Sequence, residues 1–73
     1  MSMTMRERLV RGYAFSIYLD GTRTFDMIAV QYHDEVKTYA ANYLSEQNLN
    51  DALATGKITQ AEYEQTLELK NPA

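Results

Sequence analysis

The fold turns on one stretch, Phe25-Asp26-Met27-Ile28-Ala29-Val30-Gln31-Tyr32-His33-Asp34-Glu35-Val36-Lys37-Thr38-Tyr39-Ala40-Ala41-Asn42-Tyr43-Leu44. Phe25, Ile28, Ala29, Tyr32, Val36, Tyr39, Ala40 and Tyr43 recur at intervals of three and four, the spacing of one helix face. Thr24 stands where an N-cap is wanted, and Asp26 suits the positive end of the helix dipole. Met27, Val30 and Leu44 widen the apolar stripe beyond one narrow face. A helix apolar over that much of its surface is buried on more than one side. The reading is a central helix over about 24–44.

Upstream, Thr4-Met5-Arg6-Glu7 spells a capping box, in which the Thr4 hydroxyl and the Glu7 carboxylate satisfy each other's backbone N–H groups. Leu9, Val10, Tyr13, Ala14 and Ile17 continue as a helical stripe, and Asp20-Gly21 supplies a stop. This gives a helix near 5–19. A hairpin about Asp20-Gly21 is the alternative, since Tyr13, Phe15, Ile17 and Leu19 alternate. Its returning strand would set Leu19 against Thr22 and Ile17 against Thr24, a mismatch in polarity across the pair. Helix is preferred.

Downstream, Ser45 to Asn50 interrupts the pattern with short polar residues. A brief helix is expected over about Asn48–Ala54, ending at Gly56. Thr59-Gln60-Ala61-Glu62 is a second capping box and opens a last helix, with Tyr63, Thr66 or Leu67, and Leu69 as inward candidates. Asn71-Pro72 ends it. The fold class is therefore all-α: a small bundle of three to four short helices around the central one, with an N-terminal β-hairpin plus helices as the alternative.

Seventy-three residues leave room for one domain, residues 1–73. A chain of this size buries only about 60% of its unfolded surface. It has no cysteine, so disulfides, thiolate metal sites and cysteine nucleophiles are excluded, and one histidine excludes paired-histidine metal motifs. No apolar run approaches the roughly 20 residues of a membrane span, and no secretory signal is evident. The expectation is a cytoplasmic protein with no membrane contact. Residues 1–23 carry four arginines against Glu7 and Asp20, while residues 24–73 carry three lysines against eight carboxylates; the net charge is −3. That acidic balance argues against general nucleic-acid binding, which leaves a basic footprint.

Three readings compete for Asp51 to Tyr63. As a calcium loop, Asp51, Gly56, Ile58 and Glu62 fall in register, but Leu53 and Thr55 occupy ligand positions and leucine offers no side-chain oxygen. As a DNA-reading helix-turn-helix, the second helix would present Glu62, Glu64 and Glu68 to phosphates. Chemistry disfavours both, and a plainer account covers the same residues: Gly56 ends one helix, Ile58 packs, and Thr59 and Glu62 cap the next. The third reading is a resemblance. Leu53, Gly56-Lys57-Ile58-Thr59 and Glu62-Tyr63 resemble the C-terminal signature of the XkdX-like small proteins of phage and prophage tail-gene clusters, over about residues 49–65. The resemblance implies a phage-associated accessory or structural role and transfers no catalytic residue.

His33-Asp34-Glu35 is the one cluster that suggests acid–base or metal chemistry. Consecutive helical residues point about 100° apart and do not converge on one ion, so the expected setting is a solvated patch. No nucleophile motif or glycine-rich phosphate loop is present. The expected assignment is no catalytic, cofactor or metal site. Six tyrosines in 73 residues are many, and tyrosine is favoured at contact surfaces. With more apolar surface on the central helix than its neighbours can cover, the sequence predicts a homo-oligomer, a twofold dimer with Met27, Val30, Tyr32, Val36, Tyr39 and Tyr43 at its interface. The functional expectation is a non-enzymatic interaction or structural protein. The competing classes are a small nucleic-acid-binding regulator and an inhibitor that docks on a host enzyme.

Overall fold

The computed structural model describes residues 3–70, so the Asn71-Pro72 stop lies outside the described residues. The first capping box forms as read: Thr4 Oγ1 accepts the Glu7 N–H at 3.1 Å, and Glu7 Oε1 accepts the Thr4 N–H at 2.9 Å. From it runs α1, Met5–Ala14, which continues without a break into a π-helical segment, Phe15–Asp20. There the hydrogen bonds reach one residue further than in an α-helix. The wider turn carries Ile17 and Tyr18 together into the core, at 0% and 1% exposure. Gly21 closes the segment at φ 70°, and the Ser16 carbonyl collects the N–H groups of Gly21, Thr22 and Arg23. Among the described residues there is no β-strand, so the hairpin alternative falls.

The central helix is shorter than its periodicity suggests. Phe25–Met27 and Val30–Tyr32 are single 3₁₀ turns, and α2 proper is His33–Tyr43. Ile28 and Ala29 between them are extended (ψ 158° and 139°), and Thr24 makes no side-chain cap bond. Apolar residues three apart serve a 3₁₀ turn as well as an α-helix, so spacing alone does not separate the two. The bend has a packing reason. It folds Phe25 back against Tyr18 (ring centroids 5.8 Å, edge-on) and against His33 (5.2 Å). Phe25 and Ile28 are buried, while Met27 and Val30 face outward at 65% and 80% exposure.

After α2, Ser45 opens α3, Glu46–Ala54, two residues earlier than expected. Ser45 and Asn48 form a reciprocal capping box, with amide oxygen in place of the usual carboxylate. Gly56, at φ 77°, ends α3. The Lys57 N–H reaches the Ala52 carbonyl at 2.9 Å and the Gly56 N–H reaches Leu53 at 3.1 Å, the paired bonds of a Schellman ending. Thr59 and Glu62 then cap each other and start α4, Gln60–Lys70. Tyr63 ties the pair by donating its hydroxyl proton to Asn50 Oδ1 at 2.5 Å. Thr66 is the inward residue of α4 at 0% exposure. Leu67 packs at the core margin, and Leu69 turns outward at 47%.

Helix α2 lies between α1 and α4, and α3 packs on α4 and on the π segment. The core joins Val10, Ala14, Ile17 and Tyr18 to Phe25, Ile28, Val36, Ala40, Leu44, Leu49, Ala52 and Ile58. Two lysines close helix ends across these interfaces. Lys57 Nζ donates to the Leu19 carbonyl at 2.8 Å, with its stem lying against Gly21. Lys70 Nζ donates to the Leu44 carbonyl at 2.7 Å and to Ala41 at 3.3 Å, at the C-terminal end of α2. A cation there satisfies terminal carbonyls and complements the negative end of the dipole. Lys70→Met keeps the stem and removes the donor; it should cost about 1 kcal/mol in urea unfolding. An unchanged midpoint would show the contact contributes nothing.

Candidate interaction groove

The capped N-terminal half of α1 and the outer side of α2 form two walls of an open groove. From α1 come Glu7, Val10 and Arg11, with Met3 just ahead of the helix. From α2 come Asp34, Glu35, Thr38, Tyr39, Asn42 and Tyr43. The volume between them is about 600 Å³. The spacings explain the walls: 3, 7, 10 and 11, and 35, 38, 39, 42 and 43, are one-face intervals on their respective helices. The lining joins apolar and aromatic side chains (Val10, Tyr39, Tyr43) to charged ones (Glu7, Arg11, Asp34, Glu35), the usual chemistry of a binding cleft.

The aromatic part is a ladder. The Arg11 guanidinium sits 5.4 Å from the Phe15 ring centroid, Phe15 meets Tyr39 edge-on at 6.2 Å, and Tyr39 lies 4.4 Å from Tyr43. Tyr43 ends the ladder at 70% exposure. A second set runs alongside: Arg23 over Tyr13, Tyr13 against Tyr32, and Arg6 over Tyr32 at 4.7 Å. Arg6 also pairs with Glu35, and that hydrogen bond raises the arginine's pKa still further. Glu7 is held below the usual carboxylate range by hydrogen bonds from the Thr4 backbone and side chain. Its contribution to the α1 end is thus present above the ordinary carboxylate pKa and lost as pH falls through the lowered one.

Of the six residues the sequence placed at an interface, Tyr39 and Tyr43 line this groove. Tyr32 is half-buried beside it under Arg6. Met27 and Val30 are exposed on the 3₁₀ segment. Val36 is a correction: at 0% exposure it belongs to the chain's own core and presents no surface to a second chain. The reason is α4, whose packing on α2 covers more of that helix than its polar sequence suggests.

His33-Asp34-Glu35 does not converge. His33 is half-buried rather than solvated, its ring against Phe25 and its Nε2 3.3 Å from the Ile28 carbonyl, a contact that requires the proton on Nε2. Glu35 turns to Arg6, and Asp34 faces the groove. Among the described residues no three His, Cys, Asp or Glu side chains are grouped to hold a metal ion, and no helix is long and apolar enough to cross a membrane. Glu7, Val10, Arg11, Thr38 and Asn42 were not singled out from sequence as groove residues. The signal available for the first three was the four-residue step from Glu7 to Arg11 with Val10 on the same side. Comparison with protein-family models, with curated proteins and with solved structures gave no match.

Proposed function

We propose that this chain is a non-enzymatic interaction or structural protein, acting through self-association or a protein partner at the α1–α2 groove. The observation that carries the reading is the Tyr39–Tyr43 pair, stacked in the groove wall with Tyr43 mostly exposed. A large, rigid ring held at the surface by a neighbouring ring loses little entropy on being covered, which is how tyrosine contributes at contact surfaces. The setting proposed for it is the phage or prophage accessory role that the 49–65 segment suggests, in the cytoplasm of a host cell. Arg6, Arg11 and Arg23 lie against rings of their own chain, which supports a protein-facing surface over a phosphate-facing one.

Light scattering over a dilution series tests the self-association arm. A mass that climbs above 8.4 kDa with concentration is the expected result. A constant 8.4 kDa from micromolar to millimolar chain removes that arm.

A further inference from the structure

We propose that the α1–α2 groove is closed by the same groove of a second copy, as a twofold dimer with reciprocal Glu7–Arg11 pairs across the axis. This rests on the interaction reading above and names its partner. The argument begins with a charge pattern. Glu7 and Arg11 stand one turn apart on the groove side of α1, with Val10 between them on the floor. Opposite charges at that spacing can pair within a helix, yet these two do not. Glu7 bonds to Thr4, Arg11 lies over Phe15, and the ion pair recorded among the described residues is Arg6–Glu35. Both charges remain exposed.

A twofold axis across two antiparallel α1 helices reverses the order of residues. It brings each Glu7 opposite the partner's Arg11 and each Arg11 opposite the partner's Glu7. A single acid and a single base one turn apart are self-complementary under that operation, which is what an isologous contact demands. Of the other charged groove residues, Glu35 is already paired with Arg6 inside its own chain, while Asp34 stays exposed on the α2 wall and adds one carboxylate there. The same closure covers Tyr43 and the open edge of Tyr39 on the α2 wall, beside the charge pairs of the α1 wall. The rival surface fails this test. The exposed side of α4 carries Glu64 and Glu68 beside Leu69, with Lys37, already bonded to Gln65, as the cation lining that side, so a twofold pairing there gathers more carboxylates than cations.

Size sets the strength. The longer wall is about 14 Å and the groove two helices wide, which places the contact at the small end of specific interfaces. A dissociation constant in the micromolar range is expected.

The experiment is light scattering on wild type, Tyr43→Ser, Arg11→Glu, Glu7→Arg and a one-to-one mixture of the last two, with a circular dichroism melt of each. Wild type should move from 8.4 kDa toward twice that mass as concentration rises. Tyr43→Ser should weaken dimerisation tenfold or more. Arg11→Glu and Glu7→Arg should each be monomeric, since each sets like charges across the axis. Their mixture should recover the dimer, because arginine at 7 then faces glutamate at 11 and the native pair faces itself. Glu7→Arg also removes a cap; if its melt shows it unfolded, Glu7→Arg and the mixture are replaced by Arg11→Ala, which should weaken the dimer and reduce its salt sensitivity. A wild-type dimer untouched by every variant overturns this seam and leaves the interaction reading standing. Variants that stay monomeric when folded and mixed overturn the reciprocal pairing. A wild type that is monomeric throughout overturns the seam and self-association together.

Discussion

Val36→Glu should abolish the cooperative fold at neutral pH. Val36 is fully buried within α2, and the core cluster it belongs to holds no cation among the described residues to pair with a carboxylate. An unpaired charge there costs roughly 3–5 kcal/mol, and the added volume a further 1–3. A domain of this length has a total stability of about 4–11 kcal/mol, so the substitution consumes most or all of it. Val36→Ala, which removes two methyl groups and leaves a small cavity, should cost about 2–3 kcal/mol and keep the fold. The contrast is Tyr43→Ser on the same helix, which should leave the melting curve nearly unchanged because Tyr43 is 70% exposed. Circular dichroism decides it. A folded, monomeric Val36→Glu protein would place Val36 on a surface and return it to the interface. The pH dependence has a definite sign. The folded state resists ionising the buried carboxyl, so whatever stability the variant retains is greatest in acid and is lost as pH rises above the ordinary value near 4.3.

The second large effect concerns the buried hydroxyl pair. Tyr18 Oη and Thr66 Oγ1 lie 2.7 Å apart, and Thr66 Oγ1 also donates to the Glu62 carbonyl at 2.8 Å. Threonine has one hydroxyl proton, and the carbonyl takes it, so Tyr18 must be the donor to Thr66. The direction makes the two truncations unequal. Thr66→Val strands a buried tyrosine donor and should cost about 1–3 kcal/mol, whereas Tyr18→Phe removes the donor and should cost about 0.5–1.5. The double variant should cost less than the two added, since no orphan remains. Urea unfolding of the four proteins measures the coupling, and strict additivity would disprove the pairing.

The same burial pushes the Tyr18 phenol above its ordinary pKa; the Thr66 bond pulls the other way, and the charge of Glu62 adds to the rise. The unfolded chain ionises this group near pH 10 while the folded chain does not. The contribution is therefore complete below that pH, and above it falls by about 1.4 kcal/mol per unit until the folded group ionises. Tyr18→Phe should lose stability less steeply between pH 10 and 11 than wild type. Parallel slopes would contradict the assignment.

What could be read in the sequence was what is decided within four residues. The boxes at Thr4/Glu7 and Thr59/Glu62, and the stops at Gly21 and Gly56, depend on one turn of backbone, and all appear in the structure. The Ser45 box escaped because its third residue is Asn48, an amide where the pattern expects a carboxylate or glutamine. Residues 25–32 carry a helical period and no helix breaker, so the sequence by itself spells helix there. The bend is imposed from outside, by Phe25 packing on Tyr18. The long-range contacts carried no local signal: Lys57 to Leu19, Lys70 to Leu44 and Tyr18 to Thr66 are 38, 26 and 48 residues apart. At the groove, Tyr39 and Tyr43 were visible as ring-bearing helix residues. Which of their neighbours would stand opposite depended on how α1 crosses α2.

The π segment sets that crossing. A turn that holds one surplus residue makes everything N-terminal to it a rotor whose angle is fixed by how that turn is hydrogen-bonded. Forcing these six residues into ordinary α-helical pairing at their present length, with the Gly21 end held, would turn α1 by one residue's step, about 100°, around its own axis, whereas deleting Ser16 as well would leave its phase nearly unchanged. In the first case Glu7, Val10 and Arg11 would swing off the groove, and a different strip of α1 would face α2. How one turn pairs its backbone, more than the identity of any groove residue, thus decides which strip of the first helix the protein shows to the outside.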